Sequence, residues 1–244
     1  MPILTIGYST LADRAANIRY PENTSWQYQQ HIQGANSKTP KPDTFYLDSK
    51  GVAKSRNSAI ENADGKYLLF GDDDVLFNSK EIQKALDYLD KNPKVSLVLA
   101  AAVDEAGKLR KNYPAKETEL NVFNSAKAAT YEMILRVEHA KSLSVRFDED
   151  FGAGAKNYLG DEYIFIVDLI RAGGRAVFLP LEIAVHPAES SGARWGEKQD
   201  RIARARVFSR VFGKLAIFVR AGFALRRLRE LGGLLNALRF TFGR

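Results

Sequence analysis

The apolar positions of this chain change period several times, and each change marks an element. "ILTIGYST" (3–10) opens as a strand that ends in small hydroxyl residues. Weak alternation in "SWQYQQHIQG" (25–34), stopped by a glycine, predicts a second strand. Beyond the Pro-, Ser- and Asn-bearing loop "ANSKTPKPD", "TFYLD" (44–48) predicts a short third one. "KSRNSAIENA" (54–63) reads as a helix whose Asp64-Gly65 stop leads into the strand "KYLLF". Behind Ser79, Ile82, Leu86 and Leu89 recur at helical spacing as far as Asn92-Pro93, and the unbroken apolar run "VSLVLAAAV" (95–103) follows as a buried strand.

From 107 to 127 the sequence is polar and irregular. "ATYEMILRVEHAKSL" then predicts a strand and a short helix, "RFDEDFGAGAKNYLG" a loop, "DEYIFIVDLIRAGG" a helix with a glycine stop, and "AVFLPLEIAVHP" a last strand. Strands alternating with helices predict an α/β domain with a mostly parallel sheet flanked by helices. There is no internal repeat. Near the C-terminus the period becomes helical throughout. Phe208, Val211, Phe212, Leu215 and Val219 form one stripe, Leu225, Leu228, Leu231, Leu235 and Leu238 another, and arginines fill much of the remaining surface. Gly232 and Gly233 interrupt the second stripe.

Composition sharpens this division. The chain has 244 residues, 45% of them hydrophobic, enough for one large domain and an appendage. Its net charge of +7 is uneven: residues 200–244 carry +9 and residues 1–199 carry −2. The expected organisation is a domain over 1–199 and a basic amphipathic helical tail over 200–244. Such a tail suits the headgroup layer of an anionic membrane; packing on the domain or on a second copy in an oligomer is the competing reading. Nucleic acid is disfavoured as a partner, because the tail's aromatics are phenylalanines at core-like spacing. Apolar runs such as "LAIFV" (215–219) fall far short of the roughly 20 residues of a spanning helix. "MPILTIGYST" lacks a basic leader, which predicts a cytoplasmic protein, peripheral on the inner face of the cell membrane if the tail binds there. The absence of cysteine excludes disulfides, thiolate metal sites and cysteine nucleophiles, and leaves any metal to oxygen or imidazole ligands.

The candidate chemistry begins where "KYLLFG" runs into Asp72, Asp73 and Asp74. Adjacent carboxylates disfavour one another's ionisation unless a cation or donors compensate. Ligands of open α/β sheets gather at the carboxyl ends of strands. Carboxylates at i and i+2 suit a hard divalent cation that also takes phosphate oxygens, although a solvated acidic turn has the same composition.

The segment "KSRNSAIENADGKYLLFGDDDVLF" resembles the donor-binding segment of family 2 glycosyltransferases of the GT-A fold, in which a Ser-Arg-Asn helix start precedes a strand ending in Asp-X-Asp. The resemblance implies that Asp72, with Asp73 beside it, contacts the nucleotide, and that Asp74 and Asp72 hold a divalent metal, Mn²⁺ or Mg²⁺. Arg56 would reach the nucleotide or its diphosphate, or brace the aspartates. Residues 147–187 resemble the family's acceptor half, where an acidic triplet opens a helix and a later strand ends in histidine. Here the triplet is Gly160-Asp161-Glu162. It implies a catalytic base at Glu162, with Asp161 the alternative, and a metal or diphosphate contact at His186. Gly7, Tyr8, Ser9 and Thr10 end the first strand where the family cradles the base, and Asp48 ends the third where an acidic residue meets uracil. "SSGARW" (190–195) has the outline of the motif of processive members, with Ser191 in place of its glutamine; Arg194 would contact phosphate and Trp195 a sugar.

The resemblance covers about residues 1–195. It implies a metal-dependent, inverting transferase that moves one sugar from a nucleotide-sugar, a UDP-sugar by preference, to a saccharide or lipid-linked acceptor in surface-polysaccharide or lipopolysaccharide assembly. Two alternatives stand beside it. A sugar-phosphate nucleotidyltransferase would want a glycine-rich, basic loop after the first strand, which "GYSTLADR" does not supply. A non-catalytic membrane scaffold with a GT-A shell would bind vesicles without nucleotide.

Overall fold

A computed structural model of the protein describes residues 2–35, 41–187 and 197–243. In chain order its elements are β1 (Leu4–Leu11), β2 (Gln27–Gln33), β3 (Thr44–Leu47), α1 (Val52–Asn62), β4 (Tyr67–Asp72), β5 (Leu76–Phe77), α2 (Ser79–Lys91), β6 (Val95–Val103), β7 (Thr118–Glu119), β8 (Met133–Arg136), α3 (Val137–Ser142), α4 (Asp161–Arg171), β9 (Arg175–Val185), α5 (Lys198–Phe212), α6 (Ala216–Arg226) and α7 (Leu234–Thr241). The strands predicted from alternation and from unbroken apolar runs form where expected. The helix predicted from Lys54 starts at Val52, and the N-cap of α2 is Asn78, whose side chain accepts from the amides of Lys80 and Glu81.

One sheet runs in the order β3-β2-β1-β4-β8-β6-β9-β5, with β7 also on β9. β1 pairs in parallel with β2 and β4, β2 with β3, and β6 with β9. The short strand β8 lies antiparallel between β4 and β6, and β5 and β7 lie antiparallel to β9. The long strands therefore share one direction, and their carboxyl ends meet at one edge of the molecule. β9 carries surplus length. From Leu99 to Ala102 β6 advances three residues, while its partner advances six, from Phe178 to Ala184. Pro180, which has no N–H to give a ladder, sits in this bulged stretch.

The two sheet faces bury separate layers. Leu4, Ile6, Tyr67, Leu69 and Val98 face α2, which contributes Ile82, Leu86 and Leu89. Leu68, Phe70, Leu97 and Leu135 pack on the other face with Ala59 of α1, Ala140 of α3 and Phe165, Ile166 and Leu169 of α4. α1 is unusual in burying Ser55, Arg56, Asn57 and Ser58 along with its alanines. Polar groups are tolerated there because they are paired. Asn57 binds the backbone of Phe147 with both ends of its amide, at 2.8 and 3.0 Å, and so ties the 147–149 loop to α1.

The C-terminal region forms three helices where the stripes suggested two, because a break at Gly213–Leu215 separates α5 from α6. α5 packs Val207 and Val211 onto Tyr163, Ile164 and Val167 of α4. Arg210 bridges Asp168 and Asp148, each at 2.7 Å, and Arg171 donates to the Val211 carbonyl. α6 and α7 close a smaller core of Ala205, Ala224, Leu231, Ala237 and Phe240. No helix among the described residues is long and apolar enough to cross a membrane.

Candidate active site

The site is organised by one buried arginine. Arg56, in the second turn of α1, donates from Nη1 to Asp161 Oδ2 in the first turn of α4, and its Nη2 lies 3.5 Å from Asp72 Oδ1 at the end of β4. One guanidinium thus spans the two acidic motifs, reaching Asp161 across 105 residues of sequence. Its Nε has no partner among the described residues. Burial pushes the Asp72 carboxyl up, and the Arg56 charge opposes that rise.

Asp161 and Glu162 enter this arrangement because of how α4 begins. Its N-cap, Gly160, has φ +81°, a conformation that side-chain-bearing residues adopt at a cost. A Cβ there would also stand 2.8 Å from Val207 of α5. The acid pair is buried at Asp161 and half-buried at Glu162. Burial, then the negative charge and hydrogen bond of Asp161, raise the Glu162 carboxyl well above the usual carboxylate range. Two carboxyls this close disfavour one another's ionisation, and the charge of Asp161 is felt at Glu162. Arg56 already occupies Asp161, and Glu162 is the member left to exchange a proton with a ligand.

The three consecutive aspartates diverge. Asp73 is buried and faces away from Arg56: it accepts from the Thr10 hydroxyl at 2.7 Å and pairs with Arg14. Asp74 is exposed, 3.6 Å from Arg14 Nη2 and 3.6 Å from His186 Nε2. His186 follows β9, stacks on Tyr131 with ring centroids 4.7 Å apart, and keeps Nδ1 2.9 Å from the Pro187 carbonyl. Among the described residues no three His, Asp or Glu side chains converge as a metal cage. A carboxylate oxygen facing an imidazole nitrogen is nevertheless a donor set that Mn²⁺ accepts when substrate phosphates complete the coordination, whereas Mg²⁺ favours oxygen ligands alone. Asp74 and His186 fit such an ion. Asp72 is engaged with Arg56. A cleft of about 260 Å³ opens beside Asp74, lined by Asn17, Arg19, Glu105 and Val185.

Gly7 to Thr10 are all engaged in packing. A Cβ on Gly7 would be 2.7 Å from that of Ala59, so the glycine lets α1 lie close on β1. Tyr8 is fully buried between Tyr20 and Phe77, Ser9 accepts from Ser55 at 2.8 Å, and Thr10 serves Asp73. Asp48 is exposed in a polar recess with Lys54, Asn57, Glu61 and Arg146, which shares no residue with the Arg56 or Asp74 groups. Ser191, Arg194 and Trp195 lie outside the described residues. Arg14 and Tyr131 were not singled out by sequence. Both act on residues more than fifty positions away, and neither lies in a local pattern that marks it.

Residues 22–151 match the family model described as Glycosyl transferase family 2. No curated protein matches the chain. Among solved structures, S. aureus TarS is similar at 14% identity and a TM-score of 0.60, over 97% of this chain and 45% of TarS. The chain therefore spans less than half of that relative. S. aureus TarS 1–349 in complex with UDP-GlcNAc aligns at 15% identity and a TM-score of 0.56, over 94% of this chain and 73% of that one. The mannosyltransferase PcManGT from Pyrobaculum calidifontis, in complex with GDP-Man and Mn²⁺, aligns at 17% identity and a TM-score of 0.57, over 99% of this chain and 79% of that one. At these identities the likeness establishes a shared fold, that of GT-A glycosyltransferases. With more than half of its length matched by the family model, this chain belongs to glycosyltransferase family 2.

Proposed function

We propose that the protein is a metal-dependent, inverting glycosyltransferase that moves one sugar from a nucleotide-sugar, a UDP-sugar by preference, to a saccharide or lipid-linked saccharide in polysaccharide or lipopolysaccharide assembly. The observation that carries this reading is the Arg56 bridge, which sets the acid pair of α4 beside the aspartate end of β4. Glu162 takes the proton of the acceptor hydroxyl as that oxygen bonds to the anomeric carbon. The bond from that carbon to the diphosphate oxygen breaks, its electron pair leaves with the diphosphate, and the single displacement inverts the centre. A metal held by Asp74 and His186 would supply charge stabilisation for the departing diphosphate. Asp72 and Arg56 orient the nucleotide end. The UDP-GlcNAc and the GDP-Man and Mn²⁺ bound to the two structural relatives support the donor class and the metal.

A specific feature also supports attachment to a membrane surface, which we place at the cytoplasmic face. Eleven large hydrophobic residues are exposed among the described residues, and seven of them lie between Leu215 and Phe242. Four of these, Leu234, Leu235, Leu238 and Phe242, fall on one side of α7 and its end.

Calorimetric titration with UDP, GDP and CMP, each with and without Mn²⁺, tests the catalytic reading. Binding of one nucleotide that requires Mn²⁺ is expected. Vesicle binding with no nucleotide binding under any condition would favour the scaffold reading instead.

A further inference from the structure

His186 is confined from several sides. Its backbone N–H donates to the Val103 carbonyl at 3.0 Å, its ring lies nearly parallel to that of Tyr131, and its Nδ1 meets the Pro187 carbonyl. A carbonyl oxygen can only accept, so Nδ1 bears a proton, and in the neutral ring Nε2, the nitrogen facing Asp74, carries the lone pair. The same Pro187 carbonyl, with its second lone pair, accepts from Arg110 Nη1. Arg110 also lies close enough to Tyr131 for its charge to act on the phenol. It therefore holds the carbonyl that meets the imidazole and stands beside the ring stacked on it. Arg110 is half-buried, its Nε is unpartnered, and no carboxylate among the described residues pairs with it. Burying a cation without a counter-charge costs stability. Within the fold, what this arginine does is strap the segment after β6 to the chain leaving β9.

We propose that Arg110 and Tyr131 are positioning residues for His186: they fix the Pro187 carbonyl and the ring plane, so that Nδ1 holds the proton and bare Nε2 is presented beside Asp74. The consequence for metal binding rests on the reading of Asp74 and His186 as a metal pair. The tautomer itself does not.

The test is long-range ¹⁵N–¹H correlation of the histidine rings in the metal-free protein, with His186 assigned by comparison with His186→Gln. The wild type is expected to show a protonated Nδ1. Arg110→Met and Tyr131→Leu should each shift His186 toward the Nε2-protonated form and weaken Mn²⁺ binding, read by electron paramagnetic resonance of free Mn²⁺, by about 10- to 100-fold. Arg110→Lys, whose ammonium can still donate to the carbonyl, should keep the wild-type spectrum. A wild-type ring protonated on Nε2 overturns the proposal. So do cooperatively melting Arg110→Met and Tyr131→Leu proteins with unchanged His186 signals. If the variants lose the tautomer but the wild type binds no Mn²⁺, the positioning role stands and the metal reading fails.

Discussion

Asp72, Asp73 and Asp74 sit within one turn yet meet Arg56, Thr10 with Arg14, and His186 respectively. Their clustering was legible in the sequence as a place where positive charge must gather. Their division of labour was not, because Arg14 and His186 are brought in by distant chain. The acid pair divides in the same way. Asp161→Asn takes the principal counter-charge from buried Arg56 and should destabilise the fold by about 3 kcal/mol in equilibrium denaturation. Glu162→Gln keeps the shape of a group that the fold favours as neutral. It should leave stability and donor binding near wild type while turnover falls to background; retained turnover would remove Glu162 as the base. The raised carboxyl also sets a pH dependence. The proton-accepting form grows as pH climbs past the ordinary glutamate value, so turnover should rise with pH along a limb displaced upward. Asp161→Asn, which deletes the neighbouring negative charge, should move that limb down. Stability changes in the opposite sense: the contribution of Glu162 is full below its unfolded pKa and is lost as pH rises through its higher folded value. Denaturation of the wild type and Glu162→Gln should diverge across that window.

Among the elements, those with a local signal were the readable ones. The all-apolar run of β6, the heptad-like spacing of α2 and the glycine stop of α4 each state their element within a dozen residues. β5 and β7, two residues each, exist only through their pairing with β9 and carry no pattern of their own. The break between α5 and α6 was hidden because the apolar spacing continues across it. The seating of α5 on α4 was equally silent, since Val207 stands outside the stripe read from the sequence and only the fold lays it on Gly160. This contact links a tail helix to the start of the acid-bearing helix. Gly160→Ala should cost about 1–3 kcal/mol for its left-handed backbone, plus a steric part from Val207. Adding Val207→Ala should recover the steric part only, and the double-mutant cycle on thermal unfolding measures it.

At the scale of the whole molecule, charge and apolar surface concentrate together at the C-terminal end. Sequence revealed two amphipathic stripes but not which side stays free. The structure buries Ala224, Ala237 and Phe240 and leaves Phe218, Leu225 and Leu238 exposed. Exposed Lys214, Arg226 and Arg229 form no close ion pair among the described residues. Two copies of so cationic a face would repel each other, whereas anionic lipid would not. Co-sedimentation with phosphatidylglycerol vesicles should be strong at low salt and weak with phosphatidylcholine. It should be lost in Phe218→Ser/Leu238→Ser and weakened about fivefold by each of Arg226→Gln and Arg229→Gln, on the order of 1 kcal/mol per charge. Unchanged binding, or a dimer that these substitutions dissolve, would sink the membrane reading.

The surplus residues of β9 bear on how far a motif can be trusted. Because side chains alternate along a strand, taking one residue out of the Pro180 bulge would turn Ile183 and Val185 together to the other face or drag His186 back by one residue's rise, about 3.3 Å. The letters of every motif would survive, and the imidazole would no longer stand opposite Asp74. In this protein the slack in one strand is the gauge that sets the spacing of the site, and a relative could keep each signature residue and still lose the site to a single-residue deletion there.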